Sequence, residues 1–335
     1  MNEDSKAIDA RTQSLIANNL VWDNHSCMPL RPDDHSFLPQ LQQFRDAGVD
    51  IVSLNVGFDS VSWENTLPML HSFRDWIAKH EDQYRLVTSA DDIESARTSN
   101  KLGIHFDIEG ASALNGRLEN IEAYYQLGVR WMLIAYNQNN LAGGGCQDED
   151  TGLSDFGREM LDEMQRVGMV ICCSHTGFKT TMQVMDYARQ PVIFSHSNPN
   201  AVWPHKRNIK DEAIRACAET GGVIGVNGIG IFLGDNEATV DNTLRHIDYL
   251  VELVGPDHVG IGLDYVFDQQ EVNDFVKDNP HIFPPEDGYA DGLEMLSPGA
   301  IPQIIQGLAN FGYSDEDLCK IMGGNHLRIA QQVWK

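Results

Sequence analysis

The sequence predicts a closed (β/α)8 barrel, and three observations carry that prediction. Short apolar runs, each followed by a helix-length segment, recur roughly eight times over about 240 residues, the size and rhythm of such a barrel. Two consecutive runs, Met169 to Cys173 and Pro191 to Phe194, each end in a Ser-His pair, Ser174-His175 and Ser195-His196, with a helical segment, Phe178 to Arg189, between them. No internal repeat or low-complexity linker marks a second domain, so residues 1–335 are expected to form one barrel domain with extra C-terminal helices. In parallel α/β folds ligands bind at the carboxyl ends of strands. Two imidazoles on neighbouring ends can share one metal ion. A single histidine can equally cap a strand by hydrogen bonding, but the same arrangement twice in succession favours the ion.

With 335 residues and 42% hydrophobic content the chain can bury a large core, as one α/β barrel or, on length alone, as two smaller domains. A formal charge of −25 disfavours attraction to nucleic acid or to anionic lipid surfaces. The N-terminus, MNEDSKAIDARTQ, lacks the apolar core of a secretory signal, and no run is long enough to cross a bilayer. Six cysteines, Cys27, Cys146, Cys172, Cys173, Cys217 and Cys319, show no CxxC spacing. The expectation is a reduced, cytoplasmic chain.

The elements follow in order. A helix over Ala7 to Asn19 leads into a first strand, Leu20 to Ser26, on which Asp23, His25 and Cys27 share a face by the two-residue period. All three can ligate metal, and His25 and Cys27 can reach one ion; the competing reading is a buried Asp and His satisfied by the backbone. The second strand is Gly48 to Gly57, followed by a helix over Trp63 to His80 carrying Leu67, Leu70, Phe73 and Ile77 at helical spacing. The third, Leu102 to Ile108, ends at Glu109, a carboxylate that is costly to bury unless a cation or donors receive it. The fourth, Val129 to Tyr136, empties into a glycine-rich loop starting at Asn137 and suited to lining a pocket. Gly143, Gly144 and Gly145 in that loop lack the Lys-Ser/Thr pair of a phosphate loop. Ser154 starts a helix whose inner face is Met160, Met164 and Val167. Beyond the two Ser-His strands come a helix over Asp211 to Thr220, a seventh strand over Gly222 to Asn227, a helix over Asn242 to Val254, and an eighth strand, His258 to Leu263, ending at Asp264. A Pro- and Asp-rich excursion, Asn273 to Gly292, precedes the final helices.

In a closed barrel these strand ends meet at one rim, which gathers His25, Cys27, Glu109, His175, His196 and Asp264. The segments WDNHS, DIEGA, GLSDFGREMLDEMQRVGMVICCSH, PVIFSHSN, PHKRNIKDEAIRA, GGVIGVN, HIDYLVELVGPDHVGIGLD and GGNHLRI, spread over most of the chain, resemble those of the membrane (renal) dipeptidases, the M19 metallopeptidases of the amidohydrolase superfamily. The resemblance implies two zinc ions, one hydrolysing hydroxide, a substrate held by its carboxylate, and a homodimer. Carried over by residue, His25 binds the first metal, Glu109 bridges both, and His175 and His196 bind the second. Asp264 is the acid/base, Arg207 pairs with the substrate carboxylate, Tyr136 polarises the scissile carbonyl and Asn137 is the substrate-binding asparagine beside it. Physical chemistry supports these assignments: zinc lowers the pKa of water, and Arg offers a bidentate fork that Lys206 does not. Without the resemblance, Arg207 reads as a surface ion pair and Tyr136 as a barrel-lining aromatic.

Two positions depart from the family. Its His-x-Asp motif is His-x-Cys here, at Cys27; a thiolate can replace a carboxylate on zinc, keeping two ions, or Cys27 is packing and only one ion binds. Cys172 stands where relatives carry Asp, which is expected to alter the surroundings of His175. The expected function is a zinc-dependent dipeptidase acting on small dipeptides or N-acyl amino acids. The alternatives are hydrolysis of another carboxylate-bearing amide and a non-catalytic metal-binding homologue.

Overall fold

The computed structural model of the protein describes residues 8–335. Eight parallel strands form its centre: β1 (Trp22–Cys27), β2 (Ile51–Phe58), β3 (Leu102–Glu109), β4 (Val129–Leu133), β5 (Val170–Cys172), β6 (Val192–Ile193), β7 (Ile224–Val226) and β8 (Val259–Ile261). They pair in the order β6-β5-β4-β3-β2-β1-β8-β7. At the seam Phe194 bridges to Ile224, with its N–H donating to Val223 O at 3.0 Å and its carbonyl accepting from Gly225 N at 2.7 Å. The result is the (β/α)8 barrel the sequence predicts. Two short strands lie alongside, Tyr84–Leu86 on β3 and Tyr265–Val266 on β1. No helix among the described residues is long and apolar enough to cross a membrane.

The barrel closes because its strands are buried on both faces, so apolar residues run almost continuously along them. On β2, Val52, Leu54 and Val56 join the main core with Met69, Leu70, Phe73 and Trp76 of the helix Thr66–Lys79. The alternate positions Ser53 and Asn55 both donate to Asp107 of β3, at 2.5 and 3.0 Å. Leu67, expected on the inner face of that helix, is 42% exposed; it starts the first turn, and Met69 and Trp76 hold the buried stripe instead. The helix Asp155–Val167 begins at Ser154, whose hydroxyl accepts from Gly157 N, and ends at Gly168 with φ of 90°.

Three expectations change. Of the first helix, Ala7 lies outside the described residues, and the described part is Ala10–Asn18, capped by Asp9. The pairing register shifts between Asp23 and Ser26, so the two-residue parity of β1 is broken there. Asp23 Oδ1 accepts from the amides of Leu263 (2.9 Å) and His25 (3.4 Å), while Oδ2 has no hydrogen-bond partner among the described residues, so the backbone satisfies only half of that carboxylate. The Pro- and Asp-rich excursion contains a helix, Gln269–Asp278, capped by Asp268; its Val272, Phe275 and Val276 pack with Phe283, Tyr289 and Leu293. Their i, i+3, i+4 spacing is diluted by the acids around them in the sequence.

At the opposite end from the strand termini, His105 of β3 sits between the rings of Trp22 (5.4 Å) and Trp334 (5.5 Å). Burial, reinforced by Arg130, drops its pKa to about 3. His105 is thus neutral in the fold, whereas the unfolded chain takes up a proton below about pH 6.5. Its contribution to stability is complete above that pH and is lost as pH falls towards 3. Chemical denaturation of a His105→Phe variant is expected to show a stability difference from the parent that moves in the variant's favour by about 1.4 kcal/mol per pH unit across this window; a pH-independent difference would refute the assignment.

Candidate functional site

Glu109 ends β3 with its carboxylate at the mouth of the barrel, and three imidazoles converge on one of its oxygens. Glu109 Oε1 lies 3.3 Å from His196 Nε2, 3.5 Å from His175 Nε2 and 3.5 Å from His25 Nε2, and among the described residues no group donates a hydrogen bond to it. His175 Nε2 and His196 Nε2 face each other at 2.9 Å. Asp264 adds Oδ1 at 3.4 Å from His25 Nε2 and Oδ2 at 4.0 Å from His196 Nε2. Cys27 Sγ is 3.5 Å from His25 Nε2. Two overlapping groups of potential ligands result, His25-Glu109-His196 and His25-Cys27-Asp264, each with its ligand atoms within 4.8 Å of one another.

These separations suit a metal. Ligand pairs on one tetrahedral zinc stand about 3.3–3.6 Å apart, given bonds of roughly 2.0–2.3 Å. The Glu109-imidazole and His25-Cys27 distances match that spacing. Only the His175-His196 pair needs to open by a few tenths of an ångström.

The orientation of each ring is fixed from behind. His25 Nδ1 faces Asp107 Oδ2 at 3.3 Å, and His175 Nδ1 donates to Asn137 Oδ1 at 2.8 Å, which turns both Nε2 lone pairs inward. His196 Nδ1 meets Ser195 Oγ at 2.8 Å. Asp264 Oδ2 accepts from Asn227 Nδ2 at 2.8 Å. Asn137, His175 and Asp264 all have left-handed backbones, with φ of 57°, 60° and 61°. Such conformations cost free energy and cluster where a fold must aim side chains at one point. The loop after β4 helps hold them: Gly145 bridges to Thr176, and a Cβ on Gly145 would stand 2.2 Å from the Asn137 backbone.

Electrostatically the site is a buried excess of acids. Burial raises the Glu109 pKa to about 8, with His25 pulling it down and Asp264 pushing it up. Burial also raises the Cys27 thiol to about 12. Burial acts to lower His25, yet Cys27, Glu109 and Asp107 override it and hold the imidazole well above its usual value. Burial, helped by the charges of Arg207 and His25, keeps His175 and His196 well below theirs, in the neutral form that binds metal. A cation among these groups answers both the orphaned Glu109 oxygen and the surplus negative charge.

The remaining predicted residues lie around this centre. Arg207 is buried, donates from Nη2 to His196 O at 3.1 Å and packs over the Phe232 ring at 5.2 Å; among the described residues no carboxylate lies within 4.0 Å of it. It is therefore not a surface ion pair. The Tyr136 ring stacks on His175 at 4.0 Å. Asn137 directs its oxygen to His175, and its Nδ2 has no protein partner. Cys172 does not reach His175. It donates to Ser195 Oγ at 3.1 Å and so bears on His196, because β5 and β6 place those two side chains together. The sequence assigns no role to Asp107, Asn55 or Asn227, and singles out Ser195 only as the neighbour of His196. For Asp107 the signal was the two-residue period shared with Glu109 on one strand.

A (β/α)8 barrel that gathers imidazoles and carboxylates at its strand ends belongs to the metal-dependent hydrolases with the amidohydrolase fold. Within that class the chain belongs to the membrane dipeptidase family, peptidase family M19, whose model matches residues 35–280. It is 30% identical over 271 residues to an uncharacterised protein in the pqqA 5′ region of Klebsiella pneumoniae, covering 77% of this chain and 92% of that one. It is 31% identical over 282 residues to an uncharacterised dipeptidase of Schizosaccharomyces pombe, spanning 81% of this chain but only 62% of that protein's length. The crystal structure of an amidohydrolase from Pseudomonas aeruginosa superposes with a TM-score of 0.87 at 28% identity, covering 96% of this chain and 99% of that one.

The role of the supporting hydrogen bonds is measurable. Asn137→Ala frees His175 Nδ1, and chelator competition is expected to show metal affinity reduced by about 10–100-fold with the circular dichroism spectrum unchanged. Unaltered affinity would show that Asn137 does not set the ring.

Proposed function

We propose that the protein is a zinc-dependent dipeptidase that hydrolyses small dipeptides or closely related N-acyl amino acids. The observation that carries this reading is the convergence of three imidazole Nε2 atoms on the unpartnered Glu109 oxygen. His175, His196 and Glu109 would hold one ion, and His25, Cys27 and Glu109 a second. A bound zinc ion supplies Lewis acidity, lowering the pKa of water and polarising a carbonyl.

The chain's own groups do the rest. Glu109, shared between the two ligand sets, would offset part of the repulsion if both were filled. Asp264, aimed by Asn227, takes a proton from the attacking water and passes it to the leaving amine. Arg207, buried without an anionic partner, receives the substrate carboxylate through its fork and so fixes the register of the peptide. Tyr136, stacked on His175 in the cavity wall, would donate from its hydroxyl to the scissile carbonyl.

Metal analysis alongside a screen of L,L and L,D dipeptides tests the reading. A chelator is expected to abolish turnover and zinc to restore it, while Glu109→Gln and Asp264→Asn each lower kcat/KM by about 100-fold or more. Full peptidase rates in either variant would defeat the assignment. Metal-free protein with no turnover would instead favour a non-catalytic homologue.

Cys27 has its own test. Cobalt(II) protein is expected to show an intense sulfur-to-metal absorption band that is missing in Cys27→Ser, together with a fall in bound metal from two ions per chain to one. An unchanged spectrum and stoichiometry would return Cys27 to packing.

A further inference from the structure

The cavity above the rim has a volume of about 260 Å³, and aromatic and aliphatic side chains make up most of its wall. From Arg207 an arc of rings runs through Phe232 (Cζ to centroid 5.2 Å), Tyr289 (6.3 Å on), Phe283 (5.4 Å), Phe275 (5.9 Å), Phe58 (5.6 Å) and Tyr136 (5.1 Å), and ends on His175 at 4.0 Å. Phe275, Phe283 and Tyr289 all come from the excursion after β8, so a segment rich in Asp and Pro supplies half of the rings in the wall. Its helix turns the acids outward and three apolar side chains inward.

The charges at this cavity are already committed. Glu109 and Asp264 belong to the reacting centre. Glu271 and Asp268 face Arg31, at 2.6 and 3.5 Å. Lys206 is paired with Asp287 at 3.0 Å. Nothing is set aside for a charged side chain on the substrate, and a polar one would lose its water against rings that offer little in return. Arg207 lines the adjoining cavity, which shares His175 with this one; with the substrate carboxylate on Arg207 and the scissile carbonyl over Glu109 and Asp264, the acyl half on the other side of the bond enters the ring-lined cavity.

We infer that the site selects carboxylate-bearing amides whose acyl half carries a large apolar or aromatic group, either a dipeptide beginning with Phe, Leu or Met or the corresponding N-acyl amino acid. This rests on the hydrolase reading above and adds the substrate class to it. Phe275 and Phe283 are the specificity-determining residues, since both line the cavity and neither belongs to the ligand groups.

The test compares kcat/KM of the zinc-loaded protein for Phe-Ala, Leu-Ala, Gly-Ala, Lys-Ala and Asp-Ala. Phe-Ala and Leu-Ala are expected to exceed the other three by about 10–100-fold, the gain from fully burying such a side chain. In Phe275→Ala and Phe283→Ala the Phe-Ala to Gly-Ala ratio should fall about tenfold, and a ratio taken within one preparation does not depend on how much of it folds. A second arm needs no turnover: calorimetry should find N-(3-phenylpropionyl)alanine bound at least about tenfold more tightly than N-acetylalanine. Gly-Ala or Lys-Ala cleaved as well as Phe-Ala overturns the inference and leaves the hydrolase intact. Tighter binding of the phenylpropionyl ligand with no dipeptide cleaved supports the pocket and removes the dipeptidase. Equal binding of the two acyl ligands overturns the pocket.

Discussion

One carboxylate oxygen organises the rim of this barrel. Glu109 Oε1 is buried, receives no hydrogen bond and stands under three imidazole nitrogens, in a setting where an unpaired charge is expensive. Among the described residues no lysine or arginine pairs with it directly, and the guanidinium of Arg207 eases the charge only from a distance. The fold surrounds the carboxylate with Asp107, Asp264 and the Cys27 thiol, and the response is visible in the raised pKa values of Glu109 and His25. A cation from outside the chain is the counter-charge that the orphaned oxygen and the three converging imidazole nitrogens suit.

Holding such a cluster together takes structure with no other purpose. The hydrogen bonds from Ser53, Asn55 and His25 to Asp107, from His175 to Asn137 and from Asn227 to Asp264 form a layer directly beneath the candidate ligands. Left-handed backbone at Asn137, His175 and Asp264 is a further cost borne at the same place. The compensation lies in the wall of the barrel, where Ile104, Phe106 and Ile108 of β3 alternate with His105, Asp107 and Glu109 and anchor the strand in the core.

The acidity of the chain and the character of its cavity are separate matters. A net charge of −25 describes the surface, whereas the pocket is walled by rings drawn from four distant segments. Arg207 reconciles the two. It is a buried guanidinium against Phe232 that lines the neighbouring cavity on the other side of His175, a fixed positive group beside the apolar pocket within an acidic protein.

The sequence by itself determined the alternation of strand and helix and therefore the barrel, because apolar period and element length are local properties. It also determined that His25, Glu109, His175, His196 and Asp264 share one rim, since the carboxyl ends of parallel strands all point the same way. The family motifs narrowed that rim to a hydrolase. Tertiary structure alone decided the rest. The bulge in β1 took Asp23 out of consideration, an irregularity that an ideal two-residue period cannot show. The partners of the histidines come from strands and loops distant in the chain, and Cys172 bears on His196 through a neighbouring strand rather than on its own Ser-His pair. The aromatic wall stayed hidden because its helix is written in a stretch dominated by Asp and Pro; only packing against Phe58 and Phe232 reveals which of its residues turn inward.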